Sequence, residues 1–531
     1  MTEEQKKWFD KLYQKRHNTA KTLMDDFAIS NMWNSVVEKY SDQAHFIYEL
    51  LQNANDAKAT KSSFQLTKNG LYFKHNGTKN FWVSNPENEK LDQQNNKLGD
   101  INAITAVAQS NKNDHSTIGK FGVGFKAVFQ YTETPHIYDP NFKFKISKFI
   151  VPIKLVNDLM DRQKNETVFY FPFDKKETDQ KGKLKMPKEQ AYSDILEKLK
   201  KLVFPTLFLS NLQEVIWQAE DNELGKYSKI IVSSNQLEDI GYERIELTQI
   251  IGEKHIKDSL FLFSRTFNEK NHNFSIGYFI DNNNKPISKQ HYAFCYFLTK
   301  VTTNLKFIVH APFLLTDSRE GIKESESHNI EMVEKLAKLS ADSLLILKQL
   351  NLINDTIFDI IPFQKENFYD QVWDEDEYEN VEKPLFFAPF YEFIKAKLQN
   401  EWLLPSNDGT YINKENAYWA DSPDLANLFS NEQLAELVRN KNAKWVFSTI
   451  GRTKDKEITD YIDGGSERSW ERKEPNLIRS SMDFENKIAD LITSNFIKSQ
   501  SFEWLHKLYE YLSERKSYLD KFKIKPIFKD S

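Results

Sequence analysis

The most constraining feature of this sequence is a cluster of glycines in a chain that otherwise uses glycine sparingly. Only 16 of the 531 residues are glycine, well below the average usage of about 7%, yet Gly119, Gly122 and Gly124 lie together in residues 118–129. Glycines ahead of a helix let backbone amides cradle phosphate oxygens. The spacing differs from a Walker A loop and from the dinucleotide fingerprint. The cluster indicates a phosphate loop of a less common type, with an ordinary loop as the alternative.

A second stretch, residues 45–57, has the pattern of an amphipathic helix with one polar stripe. Glu49, Asn53 and Asp56 lie at i, i+4 and i+7, so their side chains line one side of that helix. An Asn oxygen suits Mg²⁺, a hard cation that takes few protein ligands and keeps several waters. A Glu one turn earlier can orient or deprotonate a water molecule. The stripe predicts metal and water chemistry, and a merely solvated polar stripe is the alternative.

Together and in this order, the two stretches resemble the motifs of the GHKL ATPase superfamily, which includes gyrase, the ninety-kilodalton heat-shock chaperone, histidine kinases and MutL. Residues 49–57 are similar to its Glu-Leu-x-x-Asn-Ala-x-Asp-Ala motif, and residues 119–125 to its Gly-x-Phe-Gly-x-Gly-Phe lid motif. The residues in and around the two motifs are most similar to those of the sacsin-type branch. Bacterial ATP-binding proteins share these motif sequences. The resemblance implies an α+β fold: a Bergerat-type ATPase α/β sandwich, a second α/β domain and a mixed, largely helical C-terminal region.

The resemblance also implies roles for individual residues, with ATP and Mg²⁺ as cofactors. Glu49 would be the general base for water, and Asn53 the Mg²⁺ ligand. At the place of the family's adenine-binding Asp-x-Gly-x-Gly motif stands His75-Asn76-Gly77-Thr78-Lys79, with His in place of Asp; a neutral imidazole can still accept a bond from the adenine amino group. The implied nucleotide-binding residues are Asn53, Asp56, His75, Asn76, Gly77, Gly119, Lys120, Gly122, Val123, Gly124, Phe125, Lys126 and Thr167.

The residue that completes the γ-phosphate site has two candidates. Arg319 lies in a polar turn similar to the loop by which the heat-shock chaperone's middle domain sends an arginine to the γ-phosphate, a task suited to a planar guanidinium. An ion pair with Asp317 or Glu320 is the alternative interpretation of Arg319. Lys300 competes because other family branches use a lysine there. Thr167, implied as the late threonine of the adenine site, is equally explained by the β-propensity of threonine.

The length of 531 residues favours several domains at about 150 residues each. We predict a GHKL-type ATP-binding domain at residues 1–212, a middle α/β domain at 213–325 that carries Arg319, and a mixed C-terminal region at 326–531. The final residues, 525–531, resemble the start of another strand and turn, which indicates a piece of a longer protein.

Composition excludes several classes of protein. Lys and Arg number 72 against 77 Asp and Glu, a net charge of −5, so no overall basic charge indicates nucleic acid. The single cysteine, Cys295, excludes an internal disulfide framework and favours a reducing compartment. No apolar run reaches the roughly 18 residues of a spanning helix, and the N-terminus lacks a signal-peptide core. We predict a cytoplasmic protein without a membrane partner.

The predicted function is Mg²⁺-dependent ATP hydrolysis in a conformational module that acts on a protein or nucleic-acid client, and the branch suggests bacterial defence. A nucleotide-dependent homodimer is one arrangement to test. In a second hypothesis, nucleotide only sets the shape of a scaffold with little or no turnover. In a third, motivated by His75 and Lys79, the chain is an interaction protein with a degenerate pocket.

Overall fold

The computed structural model shows an α+β fold built around one large mixed sheet. It describes residues 2–24, 45–106, 125–176, 186–267, 273–316, 318–374, 379–419, 423–446, 458, 461–462 and 492–514. The strands of the sheet are β1 (Lys61–Thr67), β2 (Gly70–His75), β3 (His136–Tyr138), β4 (Lys143–Ser147), β5 (Val151–Lys154), β6 (Thr167–Pro172), β7 (Glu214–Ala219), β8 (Leu224–Leu237), β9 (Ile240–Ile251), β10 (Lys254–Thr266), β11 (Asn273–Ile280), β12 (Tyr292–Cys295), β13 (Phe297–Thr302) and β14 (Ile308–His310). Within the described residues these 14 strands lie in the order β13-β12-β14-β11-β10-β9-β8-β7-β1-β2-β6-β3-β4-β5.

Helices and three small sheets complete the described part of the chain. The helices are α1 (Glu3–Met24), α2 (His45–Asp56), α3 (Glu89–Gln94), α4 (Asp100–Ile104), α5 (Lys188–Lys200), α6 (Ser327–Gln349), α7 (Ala388–Asn400), α8 (Pro423–Leu428), α9 (Asn431–Leu437), α10 (Ser494–Ser499) and α11 (Phe502–Ser513). The small sheets pair β15 (Tyr369–Asp374) with β16 (Glu379–Pro384), β17 (Leu404–Pro405) with β18 (Tyr411–Ile412), and β19 (Ala417–Tyr418) with β20 (Lys444–Trp445). Short 3-10 helices span Phe125–Gln130, Asp355–Asp359, Lys365–Asn367 and Lys414–Asn416.

Alternation along the first strands explains which side of the sheet is buried. In β1, Phe64 and Leu66 are buried whereas Gln65 between them is exposed, the period-2 pattern of a strand with one covered face. The buried side packs against α2, whose Leu50 and Ala54 belong to the same core cluster. The sheet therefore positions α2 on one of its faces.

The sheet continues through the predicted domain boundary near residue 212. Strand β7 pairs in parallel with β1, where Phe64 lies opposite Trp217, and antiparallel with β8. Helix α6 packs its Met332 and Leu336 into one cluster with Phe307 and with Phe390 of α7. The division into three regions stays a prediction about folding units.

The α+β class is confirmed, and the Bergerat arrangement in particular stays a prediction.

In the described portion of the chain, none of the helices combines the length and apolar character needed to cross a membrane.

Candidate nucleotide site

Helix α2 buries two residues of its polar stripe as well as its apolar side. Phe46 and Leu50 lie in the core. Glu49 is only 4% exposed and Asn53 only 7%, so a merely solvated stripe is wrong for these two residues. Buried polar side chains need partners, because desolvation without a hydrogen bond or ion pair is costly. The stripe must therefore be served by another part of the protein or by a ligand.

Arg319 supplies one of those partners. Its Nη1 forms an ion pair with Oε1 of Glu49, and the Arg319 side chain is 30% exposed. Glu320, an alternative partner considered for Arg319, instead accepts Lys300 Nζ at 2.6 Å. Asp317 lies outside the described residues. The two residues expected at the γ-phosphate, Glu49 and Arg319, thus come together from distant parts of the sequence.

The loop that presents Arg319 is a tight hydrogen-bonded turn. The Arg319 N–H donates to the Thr316 carbonyl at 2.9 Å, and the Gly321 N–H donates to Thr316 Oγ1 at 3.1 Å. Arg319 has a φ of 60°, a left-handed conformation that costs a non-glycine residue of order 1–3 kcal/mol unless its surroundings impose it. The turn therefore fixes the backbone from which the guanidinium reaches α2.

Asn329, at the start of α6, holds both ends of that turn. It is fully buried. Its Oδ1 accepts the Leu314 N–H at 2.8 Å, and its Nδ2 donates to the carbonyls of Leu314 and Lys323, each at 2.9 Å. One side chain thus bonds to the chain before and after Arg319, which makes Asn329 a positioning residue.

A second contact joins α2 to the strand region that follows β7. The Tyr48 ring stacks on Phe297 of β13, with centroids 4.4 Å apart and an interplanar angle of 16°. Burial raises the pKa of Tyr48 to about 12. The stack therefore packs β13 against the residue that precedes the expected base.

The C-terminal end of α2 is anchored through Asn55, which is 2% exposed. Its Oδ1 accepts the Asn211 N–H at 2.8 Å, and Asn211 Nδ2 donates to the Asn55 carbonyl at 3.0 Å. Gln52 is also buried, and its Nε2 has no hydrogen-bond partner in the described part of the protein. A buried donor of this kind is a place for a water molecule.

Asp56 lies at an electrostatic cluster with Lys79 and Asp100. Burial raises the pKa of Asp56 to about 6, while Lys79 and a hydrogen bond from Asn55 act in the opposite direction. Lys79 Nζ lies 3.5 Å from Asp100 Oδ1, and burial raises the pKa of Asp100. The positive charge of Lys79 therefore offsets the negative charges of Asp56 and Asp100. Lys79 stands where the adenine-binding motif usually has its second glycine.

His75 and Thr167 are neighbours on β2 and β6, as the adenine-site interpretation requires. Burial lowers the pKa of His75 to about 4, so the ring is neutral near pH 7. Its Nδ1 accepts the Gly77 N–H at 3.2 Å. A neutral imidazole has one acceptor nitrogen, which leaves Nε2 as a donor. Acceptance of the adenine amino group by His75 stays a prediction and would require the bond to Gly77 to break.

Thr167 has a partner that the sequence did not reveal. Its Oγ1 donates to Asp139 Oδ2 at 3.0 Å, and Asp139 is completely buried. Burial raises the pKa of Asp139, opposed by hydrogen bonds from residues that include Asn141 and Thr167. Asp139 therefore fixes the hydroxyl of Thr167 beside His75.

Two implied nucleotide-binding side chains are used inside the protein. Asn76 Oδ1 accepts the N–H groups of Thr60 and Lys61, each at 3.0 Å. Lys126 is fully buried, and its Nζ donates to the carbonyls of Ile104, at 2.8 Å, and Phe149. Burial lowers the pKa of Lys126 to about 7. Both side chains stabilise the framework of the site.

The remaining expectations concern Phe125 and the lid. Phe125 is buried in the core with α2. The lid residues Gly119, Lys120, Gly122, Val123 and Gly124 lie outside the described residues.

Sequence reasoning missed Asn329, Asn55, Asp139 and Gln52. Asn55 lies between Asn53 and Asp56 and could have been noticed as a further polar residue of the helix. Asn329 and Asp139 occur in stretches without a motif, so nothing local indicated their roles. Their partners are distant in sequence and come together only in the fold.

Binding of a Mg²⁺ nucleotide at α2 stays a prediction. Asn53 offers a neutral oxygen ligand. Among the described residues, no group of three or more His, Cys, Asp or Glu could hold a metal ion. A Mg²⁺ here would take one protein ligand and complete its shell with phosphate oxygens and water, its usual mode at nucleotide sites.

Part of the chain matches a known protein-family model. The family model described as the Sacsin domain matches residues 28–147, a range that contains the stripe of α2, the His75 motif and the glycine cluster. The chain is therefore similar to the Sacsin domain over these residues, in agreement with the sacsin-type resemblance of the two motifs.

Individual relatives are then found in a plant and in human. The chain is 27% identical to Protein NO VEIN of Arabidopsis thaliana over 334 residues, which is 58% of this chain and 11% of that protein. It is 29% identical to Sacsin of Homo sapiens over 110 residues, 19% of this chain and 2% of that protein. The chain therefore spans only a small part of the length of either relative.

Proposed function

We propose that this chain binds ATP with Mg²⁺ and hydrolyses it, and that hydrolysis changes the position of the loop carrying Arg319. The observation that carries the proposal is the ion pair between Glu49 and Arg319. The residue expected to act as base and the residue expected at the γ-phosphate lie in contact, although one is on α2 and the other follows β14. The Sacsin domain match covers Glu49 and the glycine cluster but not Arg319, so it supports the part of the proposal that concerns α2 and the glycine cluster.

Each residue has a definite task in this proposal. Glu49 accepts the proton of the attacking water, and the Arg319 guanidinium neutralises charge on the γ-phosphoryl oxygens. Asn53 holds Mg²⁺, which offsets the charge of the phosphates. Asp56 orients water at the same edge of α2. The lid glycines and Lys120 cover the phosphates through backbone amides and a positive charge.

Arg319 cannot neutralise Glu49 and a phosphate equally well. When nucleotide binds, Arg319 therefore exchanges Glu49 for the phosphate. A γ-phosphate competes with the carboxylate for the guanidinium and frees Glu49 for water. The Tyr48–Phe297 stack then carries the displacement to β13. ATP and ADP states would differ by contacts to one phosphate, as in other nucleotide switches.

Such a module acts on a client, either protein or nucleic acid, and a nucleotide-dependent homodimer is one assembly in which it would do so. The proposed setting is cytoplasmic, with bacterial defence as the suggested role. The second candidate function is an ATP-gated scaffold with little turnover. The same ion pair favours it, because Arg319 held on Glu49 blocks the base.

Steady-state ATP hydrolysis with and without Mg²⁺, measured together with equilibrium ATP binding, tests the proposal. Wild type should turn over ATP, and Glu49→Ala should bind ATP without turnover. Glu87→Ala, which removes an exposed carboxylate paired with Lys11, is the control and should behave as wild type. Binding without turnover in wild type selects the scaffold, and absence of binding overturns both functions in favour of an interaction protein.

A further inference from the structure

Across eight neighbouring strands of the sheet, one face is buried and the other is partly open: within the two rows defined below, Val168 and Tyr138 of the second row are buried, and the other members are half-buried or exposed. Phe64, Phe73 and Phe169 point to the buried side and belong to the core cluster of α2. The strand register places the opposite side chains in two rows. We call these rows the outer sheet face. The first row contains Leu224, Gln218, Gln65, Tyr72, Tyr170, His136, Lys145 and Ile153, and the second contains Lys226, Ile216, Ser63, Lys74, Val168, Tyr138 and Lys143.

Aromatic side chains lie at the centre of the outer sheet face. Tyr72 and Tyr170 stack with centroids 4.3 Å apart, and the His136 ring meets Tyr170 edge-on at 5.6 Å. All three are only half-buried. Aromatic rings on an open sheet are the platform on which several folds stack unpaired bases.

The charge of the two rows is positive. They contain lysines but no acidic residue. At the rim, Lys226 pairs with Glu214 at 2.6 Å and Lys143 with Asp158 at 2.9 Å. Lys74 and Lys145 lie nearer the centre, since Lys145 is opposite His136 and Lys74 follows Tyr72 by two residues. The half-buried aromatic centre is therefore flanked by two cations, and the carboxylate of Asp174 also acts on the pKa of His136 and of Tyr170.

The dimensions suit an extended strand of nucleotides. Neighbouring strands are about 4.8 Å apart, so a row across eight strands extends for about 34 Å, long enough for several nucleotides. A polyanion that crosses the sheet along the first row would pass the tyrosines and reach Lys145.

We propose that the outer sheet face binds single-stranded nucleic acid, with bases stacked at Tyr72 and Tyr170 and phosphates at Lys74 and Lys145. A second copy of the chain fits less well, because two such faces would bring lysines against lysines. The surface lies on the side of the sheet opposite α2. Its binding is therefore measurable without ATP, and its failure would leave the roles of Glu49 and Arg319 untouched.

Fluorescence anisotropy of the full chain with labelled single-stranded DNA and RNA of about 12 nucleotides tests the proposal. Affinity should fall with salt as counterions are released. Tyr72→Leu and Tyr170→Leu should each weaken binding by about tenfold, the value of one stacked base. Lys74→Gln and Lys145→Gln should each reduce the slope of log affinity against log salt by about 1. Tyr292→Leu, an exposed tyrosine on β12 at 46% exposure, is the matched control and should bind as wild type.

Heparin binding separates general attraction of polyanions from base stacking, and crosslinking locates the bound bases. Heparin binding should respond to the lysine variants but not to the tyrosine variants, because heparin has no bases. Ultraviolet crosslinking of bromouracil-containing DNA and RNA to wild type, which needs no variant, should label peptides with Tyr72 or Tyr170. Equal labelling by DNA and RNA supports a face that makes no contact with the 2′-hydroxyl. Stronger labelling by RNA supports a face that contacts it. No binding at about 50 mM salt, crosslinks confined to other regions, or tyrosine variants that match Tyr292→Leu would overturn the proposal.

Discussion

The carboxylate of Glu49 and the guanidinium of Arg319 form an ion pair between helix α2 and the turn after β14. Glu49 is almost completely buried, whereas Arg319 keeps 30% of its side chain exposed. The pair therefore has one partner that cannot recover solvation and one that can leave. This asymmetry suits a cation that exchanges between a carboxylate and a phosphate.

The pair predicts non-additive stability. Arg319→Met should lower the free energy of unfolding by about 1–3 kcal/mol, less than for a fully buried pair, because Glu49 is left buried without its cation. Glu49→Gln combined with Arg319→Met should lose less than the sum of the single changes, as measured by urea unfolding. The exposed pair Lys335–Glu331 is the control, with an expected coupling below about 0.5 kcal/mol. Additive losses at Glu49 and Arg319 would contradict the pairing.

Asp56 predicts a pH dependence near pH 6. Its folded-state pKa of about 6 lies above the ordinary 3.8, so the stability it adds is complete below pH 3.8 and is lost as pH rises through 6. Lys79→Met should raise this pKa further, since Lys79 favours the charged carboxylate. Carbon-13 NMR titration of the carboxyl group measures both values. Lys90→Met, at an exposed position of α3, should leave the titration unchanged, and an unshifted Asp56 in Lys79→Met would refute the cluster.

His75 predicts the opposite trend. Its folded-state pKa of about 4 lies below the ordinary 6.5, so its contribution is present above pH 6.5 and is lost as pH falls through 4. The loss is at most about 3 kcal/mol. Urea unfolding across this range should show a shallower acid loss in His75→Gln than in wild type. His255→Gln, at an exposed position of β10, should keep the wild-type slope; equal slopes in all three proteins would contradict a buried neutral His75.

Asn329 predicts a loop-specific effect. Asn329→Ala removes three hydrogen bonds to residues on both sides of Arg319 and should cost about 2–3 kcal/mol. Hydrogen exchange should rise in residues 314–323 before it rises in the sheet. Asn354→Ala, which removes a cap bonded to the Thr356 N–H at 2.9 Å, is the control and should leave that loop protected. Unchanged exchange there in Asn329→Ala would remove its positioning role.

Gly77 predicts a steric penalty. A Cβ at this position would lie 2.8 Å from Ala57 Cβ and 2.9 Å from His75 Nδ1, so Gly77→Ala should destabilise by about 1–3 kcal/mol. Gly241→Ala is the matched control, because its nearest atom would be 3.9 Å away. Thermal unfolding of both variants makes the comparison, and equal midpoints would mean that α2 and the end of β2 are not tightly packed.

Local periodicity was sufficient to predict α2, because the helical spacing of three polar residues is a property of the local sequence and does not depend on what the helix packs against. The same spacing could not tell whether the stripe is solvated, since the burial of Glu49 depends on Arg319 and on the sheet. The α+β class followed from the resemblance of the two motifs to the GHKL superfamily rather than from periodicity. The parallel pairing of β1 with β7 could not be predicted, because it joins residues that no local pattern relates.

Side-chain roles that depend on distant carbonyls were also beyond the sequence. Lys126 follows the glycine cluster and was therefore expected at the nucleotide, yet its ammonium is bonded to Ile104 and Phe149. Asn76 is similarly used by the backbone of β1. A motif identifies which residue types occur together, whereas their directions follow from the packing of the whole domain.

The most direct test of the account is the ratio of ATP to ADP affinity, measured by titration calorimetry with Mg²⁺ in wild type and Arg319→Ala. If Arg319 exchanges Glu49 for the γ-phosphate, wild type should prefer ATP by about tenfold or more, a difference of about 1.4 kcal/mol, and the variant should bind both nucleotides equally. An ATP preference that is the same in both proteins would contradict the assignment of Arg319 to the γ-phosphate.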